Sequence, residues 1–294
     1  MINHMVLGGI ELGGTKIVCA IGDDYGNIIN RCVIKTETPE NNIKEISDYF
    51  RNRKIDALGI GTFGPVELNK KSIRYGYITT TPKEGWSNVD IVSPFKELNI
   101  PIKLDTDVNA ACLGEVKHGV GKEISNVIYG TIGTGIGFGV YLEDKLIHGL
   151  MHTESGHILL AKRHDDSFNG VCDYHSNCFE SLASGPAIEK RWGNRAEYLY
   201  DKKEVWDLEA YYIGQALCNY IMCYSPEKII LGGGVMHVPG LIEKVRVETL
   251  RHLNGYIKKD EIINGIDEYI VLPKLGDNAG IIGAFELAKS CFDR

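Results

Sequence analysis

Apolar and polar positions change rhythm several times along the chain. Residues 5–13 form an apolar run that ends in glycines. Residues 16–21 and 28–36 alternate or run apolar around a polar turn at 22–27. Runs of this length parted by turn residues predict an antiparallel meander. Residues 41–52 place Ile43, Ile46, Tyr49 and Phe50 on one face of a helix. Residues 55–61 read as a buried strand, and 100–104 as a strand delivering Asp105, Thr106 and Asp107 at its end, before a helix over 108–118.

A similar block begins at Asn126. Strands are predicted over 127–131, 137–142 and 145–148, and helices over 179–192 and 208–224. A strand over 228–231 feeds Gly232-Gly233-Gly234, and another covers 269–273. Asp277-Asn278 caps a last helix, 279–288, with Ile281, Ile282, Phe285 and Ala288 inward. The pattern is two successive α+β blocks, with the boundary near 115–125. A ligand site between such blocks would be a natural cleft.

Composition narrows the possibilities. The 294 residues, 44% of them hydrophobic, suffice for two medium domains. A net charge of −7 argues against nucleic acid and anionic membrane surfaces as partners. No run of 18 apolar residues predicts a spanning helix. The stretch before Lys16 lacks the basic region of a signal peptide, so a cytoplasmic location with reduced cysteines is expected.

The 34 glycines cluster. Gly13-Gly14-Thr15-Lys16 and the stretch 130–137, with Gly133, Thr134 and Gly135, lie in turns between strands, and Gly232-Gly233-Gly234 follows a later strand. None fits a Walker A loop or the dinucleotide spacing. Each alone is a tight hairpin. Three at strand ends, two of them with threonine hydroxyls, point to phosphate binding.

His157, Cys172, His175 and Cys178 form H-x14-C-x2-H-x2-C. Thiolate and imidazole suit Zn²⁺, and four such ligands fill a tetrahedron, so the metal would be structural. Asp165, Asp166, Asn169 and Gly170 give the intervening segment loop character, and His152 and His164 nearby read as solvated surface residues. Asp107, where a strand meets a helix, is the best candidate base, with Asp105 a candidate helix cap. Glu154 and Glu180 stand beside the proposed metal loop.

The ordered set of motifs resembles the ROK family (repressors, open reading frames, sugar kinases). Glu11 to Lys16 resembles its first phosphate motif, and Asp107-Val108-Asn109-Ala110 its catalytic D-x-N-x element. Glu154-Ser155-Gly156-His157 matches its sugar motif, Cys172 to Glu180 resembles its zinc loop, and Leu231 to Val235 its adenosine motif. Residues 9–16, 61–65, 80–83 with Trp86, and 105–109 look like the bacterial zinc-containing fructokinase branch.

The resemblance implies an α/β, two-domain actin-like (RNase H-like) ATPase fold with a cleft between domains. The N-terminal domain would be 1–118, joined by the helix 277–294, and the domain with the zinc loop 119–276. The implied activity is ATP-dependent phosphorylation of a hexose, foremost fructose to fructose 6-phosphate. The alternatives are a glucokinase, mannokinase or N-acylhexosamine kinase, or a non-catalytic sugar-binding member. With about ten residues ahead of Glu11 and a net acidic charge, a helix-turn-helix repressor of the family is not expected.

By the same resemblance Asp107 accepts the hydroxyl proton. ATP is bound by Glu11 (a partner of Mg²⁺ through water), Gly13, Gly14, Thr15, Lys16, Gly133, Thr134 and Gly135. Pro186, Gly233, Gly234, Val235, Met236, His237 and Val238 shape the adenosine pocket. Thr106, Asp107, Glu154, His157 and Glu180 bind sugar. His157 serves twice, one ring nitrogen on zinc and the other toward the sugar. A homodimer is implied.

Overall fold

The alternating runs do become strands, and the computed structural model describes residues 4–293. In chain order these are β1 (Val6–Leu12), β2 (Lys16–Asp23), β3 (Ile28–Lys35), α1 (Pro39–Phe50), β4 (Ala57–Thr62), β5 (Tyr77–Ile78), β6 (Val89–Asp90), β7 (Ile102–Thr106) and α2 (Asp107–His118). There follow β8 (Val127–Ile132), β9 (Ile136–Leu142), β10 (Lys145–Leu146), α3 (Phe179–Ala183), α4 (Gly185–Trp192), α5 (Lys203–Tyr224), β11 (Lys228–Gly232) and α6 (Leu241–Leu253). The last are α7 (Asp260–Ile263), α8 (Ile266–Tyr269), β12 (Ile270–Val271) and α9 (Ala279–Lys289).

The described chain divides into two compact units. One gathers the chain up to Glu123, Leu146–Thr153 and the stretch from Lys274 onward; the other holds Ile124–Lys145 and Glu154–Pro273. The boundary falls beyond 118 because the chain after α2 stays tied to it. The Glu115 carbonyl accepts from the Gly119 and Gly121 N–H groups, and its buried carboxylate from Val120 N (2.9 Å) and Leu275 N (2.7 Å). Residues 146–153 join the first unit through two histidines described below.

The first unit's sheet has the order β3-β2-β1-β4-β7, antiparallel from β1 to β3 and parallel from β1 through β4 to β7. Period-2 burial sorts its side chains onto two cores. Ile10, Leu12, Ile17, Cys19, Leu58 and Ile60 face Ile46, Phe50, Trp86 and Phe95. Leu7, Val18, Ala20 and Ala57 face Ile281, Ile282 and Phe285 of α9. On that second face Gly59 lets α9 in: a Cβ there would stand 1.8 Å from the Ala284 carbonyl oxygen. The second unit's sheet repeats the order, β10-β9-β8-β11-β12, with β8 antiparallel to β9 and parallel to β11.

Several elements differ from the sequence pattern for local reasons. The helix predicted over 179–192 is two, broken at Ser184, whose hydroxyl accepts from Ala187 N to start α4 with Pro186 in its first turn. Asn278 does not cap α9 with its side chain, since its Oδ1 accepts from Arg31 Nη1 (2.8 Å) instead. The strand predicted over 269–273 shortens to two residues because α8 runs through Tyr269. Among the described residues no helix is long and apolar enough to cross a membrane.

Candidate active site

In the first unit the chemistry gathers where β7 gives way to α2. Thr106 is extended, and its hydroxyl accepts from Asn109 N (3.2 Å), capping α2. Asp105, the cap candidate, does something else: its Oδ1 accepts from Thr106 N (2.8 Å) and Asn109 Nδ2 (2.7 Å). Asp107 opens the helix with Oδ1 accepting from Val108 N (2.8 Å). Its surroundings withhold water, which pushes its carboxyl up to about 6 against these backbone donors. A carboxylate so poised is ionised at pH 7 yet basic enough to take a proton.

Glu11, near the end of β1, lies within the field of Asp107. Burial first and the Asp107 charge second push its carboxyl up to about 7. Its Oε2 is buried without a hydrogen-bond partner, and so is Asn109 Oδ1. Each such orphan costs about 1–3 kcal/mol unless a ligand or water donates to it. An acidic, water-poor surface with unserved oxygens fits a hydrated cation or a sugar hydroxyl. The Gly13–Lys16 turn joins β1 to β2 beside it, closed by Gly13 N on Lys16 O (3.0 Å) and by the Thr36 hydroxyl on Gly13 O (2.7 Å). Gly14, Thr15 and Lys16 are exposed there.

The second unit brings three of the predicted nucleotide segments together. The turn at Gly133, Thr134 and Gly135 joins β8 to β9, the place the Gly13–Lys16 turn holds in the first sheet. Gly133 O accepts from Gly185 N (2.7 Å), which seats the start of α4 and Pro186 against the turn. Gly233, with φ +89°, lies so close to β8 that a Cβ would stand 2.4–2.7 Å from Ile132 backbone atoms. Gly234 and His237 are exposed on the 3₁₀ turn that follows, Val238 is half-buried, and Val235 and Met236 point into the core.

His157, Cys172, His175 and Cys178 converge, with all four ligand atoms within 4.8 Å of one another. His157 Nδ1 lies 3.8 Å from Cys172 Sγ and 3.6 Å from Cys178 Sγ, and His175 Nδ1 lies 4.0 Å from Cys172 Sγ. Bond lengths of 2.3 Å to sulfur and about 2.0–2.1 Å to nitrogen require tetrahedral edges of roughly 3.3–3.8 Å. Both His157–sulfur separations match those edges or come within a few tenths of an ångström, and the wider ones close with a small inward shift, so the donor set fits a zinc ion. Asp166 anchors the loop, its Oδ2 accepting from the Tyr212 hydroxyl (2.5 Å) and Arg191 Nη2 (3.2 Å). The other ring nitrogen of His157 lies 3.8 Å from Glu180 Oε1. Glu180 Oε2 accepts from Ile136 N (2.9 Å), so this carboxylate links the Cys/His cluster to the strand after the Gly133 turn. Glu154 is exposed.

Sequence reasoning misread two histidines. His152 is not a solvated surface residue: it is buried, and its Nε2 accepts from Val66 N (3.1 Å). His148, taken as part of a strand, pairs with Asp105 at 2.9 Å. A histidine pair at i and i+4 beside a glycine gives no signal for a docking partner more than forty residues away.

Two units on one strand order, each with a glycine turn between its antiparallel strands, define the actin-like ATPase fold. A Streptomyces griseus ROK family glucokinase, solved in complex with glucose and AMPPNP, has that fold at a TM-score of 0.79 and 24% identity over 97% of this chain and 99% of its own. The family model described as "ROK family" matches residues 7–291, and this chain belongs to that family. A relative from Bacillus subtilis (strain 168) is 48% identical over 284 residues, 96% of this chain and 95% of its own. The fructokinase of Pediococcus pentosaceus is 43% identical over 287 residues, 97% of this chain and 98% of its own.

Proposed function

We propose that the chain is a fructokinase, transferring the γ-phosphoryl group of ATP to the 6-hydroxyl of fructose. The observation that carries the chemistry is Asp107, a carboxylate raised to about 6 at a helix start beside two unserved buried oxygens. The choice of fructose is supported by 43% identity to a fructokinase over nearly the whole chain. The sugar hydroxyl gives its proton to the Asp107 carboxylate as its oxygen bonds to the γ-phosphorus. The bond to the β,γ-bridging oxygen breaks, and ADP leaves with that oxygen's electrons. General-base help of this kind is typically worth about 10²–10⁴-fold, and the remainder is positioning and charge stabilisation.

In this reading Gly13, Gly14, Thr15, Lys16, Gly133, Thr134 and Gly135 hold the phosphates, while Pro186 and residues 233–238 take the adenosine. Thr106, Glu154, His157 and Glu180 meet the sugar hydroxyls. Mg²⁺, when bound, would supply neutralisation of the phosphate charge, and the unpartnered Glu11 Oε2 would be this chain's group to help hold it. His157, Cys172, His175 and Cys178 would hold a structural zinc that fixes the His157 ring. The proposal includes a homodimer in the cytoplasm, and light scattering of the purified chain tests the assembly. The deciding experiment follows ADP release from MgATP with fructose, glucose, mannose and N-acetylglucosamine. Turnover highest on fructose is expected; no turnover on any, with sugar still bound, sinks the kinase reading.

A further inference from the structure

We propose that His148 is a positioning residue for the phosphoryl transfer, holding Asp105 and through it the first turn of the helix that presents Asp107. The role in catalysis rests on the reading of Asp107 as base. Asp105 is a hub, its side chain only 5% exposed. Its Oδ1 takes the Thr106 N–H, the Asn109 amide and His148 Nε2 (3.1 Å), and its Oδ2 takes His148 Nε2 at 2.9 Å. Thr106 and Asn109 flank Asp107, and Asn109 N also closes the Thr106 cap. So one buried carboxylate clamps the residues on both sides of the base, and His148 is the only basic side chain bonded to it among the described residues. A buried carboxylate left with neutral donors alone carries a large desolvation cost and shifts or protonates to relieve it.

His148 suits the task because its partners favour a charged ring. Nε2 faces Asp105, and a backbone hydrogen bond with Leu146 also favours the protonated ring. The Asp105 carboxylate thus holds its pKa above the ordinary histidine value, against partial burial and the charge of Lys103. His152 meets the opposite need on the same segment. It accepts from Val66 N, which requires a bare nitrogen, and burial lowers its pKa. One histidine whose protonated form is favoured and one whose neutral form is favoured therefore dock 146–153 on the first unit. The charged and titratable groups around the pair are Asp105 and Lys103 of β7, His152 on the same segment, and Tyr75, which feels the Asp105 charge.

His148→Gln, Asp105→Asn and the double variant test the proposal. Displacing a base by a fraction of an ångström to an ångström costs up to about 100-fold. We therefore expect kcat to fall about 10- to 100-fold in each single variant, with KM for ATP unchanged. The double variant should be no worse than the poorer single one, as for two members of one unit. Wild-type kcat should decline on the alkaline side as His148 loses its proton, a limb absent from His148→Gln. An NMR titration of the His148 ring needs no turnover: it should titrate above 6.5 in the wild type and return to the ordinary range in Asp105→Asn. Wild-type kcat and an unchanged pH profile in His148→Gln overturn the proposal, as does additive loss in the double variant. If the wild type phosphorylates no sugar, the catalytic role falls with the kinase reading, while the titration still reports whether His148 and Asp105 are a pair.

Discussion

Replacing Asp107 by Asn should yield a protein that is more stable and nearly inactive. The carboxyl rises from 3.8 to about 6 on folding, roughly 2.2 pH units. At 1.36 kcal/mol per unit, the folded state gives up about 3 kcal/mol once the group is ionised in both states. The sign follows from a raised carboxyl. The contribution is intact at pH 3 and below, where the group is protonated folded or unfolded, and is lost as the pH climbs from the unfolded value through 6. Asn keeps the shape and the oxygen that accepts from Val108 N, and never ionises. Thermal melts should therefore show almost no gain for the variant at pH 3 and a gain of about 3 kcal/mol at pH 7.5. Removing the Asp107 charge also lowers Glu11, which acts in the same direction. Turnover should drop about 10²–10⁴-fold, and wild-type kcat should fall below pH 6 as the base is protonated. Equal stability of the two proteins at pH 7.5, or near-normal turnover of the variant, refutes the reasoning.

Elemental analysis of protein purified without chelator should find one zinc per chain, and Cys178→Ser should bind none. That variant should show a raised KM for fructose at an unchanged KM for ATP, because His157 loses its anchor; full zinc occupancy in it would rule out the ligand set. Gly233→Ala should raise KM for ATP and lower stability by about 1–3 kcal/mol, since φ +89° and ψ +162° lie in a region open essentially to glycine. Wild-type behaviour there would mean the turn has room that the backbone contacts deny. Glu209, fully buried on α5 with both oxygens unpartnered, is held protonated by desolvation. Its neutral form stabilises the fold at low pH, and that contribution fades as the pH rises above the ordinary carboxyl range. Glu209→Gln should match the wild type near pH 4.5 in melts and exceed it at pH 8, and a pH-independent difference would count against this.

Short apolar runs parted by turn residues exposed both sheets, because a strand covered on both faces reads as a continuous apolar stretch. The glycine turns were legible because each stands at the end of an apolar run that already reads as a strand. The Cys/His cluster was legible because its chemistry lies in one short stretch. What stayed hidden depends on distant partners. Asp105 reads as a local cap, yet its carboxylate is claimed by His148 from the next block. Asn278 reads as a helix cap, yet Arg31 takes its side chain. Glu115 looks like an ordinary helix-surface acid, but two backbone N–H groups, one 160 residues away, draw it inside. The break at Ser184 escaped notice because Ser-Gly-Pro is compatible with both a helix start and an interruption.

The first unit's dependence on α9 has a consequence for the order of events at the ribosome. Both α2, which carries Asp107, and the α9-facing side of the sheet are covered by residues that follow Lys274. About 150 residues separate them from Glu123, so at 5–20 residues per second the opening half waits roughly 8 to 30 seconds for its missing layer. During that interval Leu7, Val18, Ala20 and Ala57 lack the cover of Ile281, Ile282 and Phe285. The nascent chain should then be a target for chaperones, and release should coincide with the emergence of Phe285.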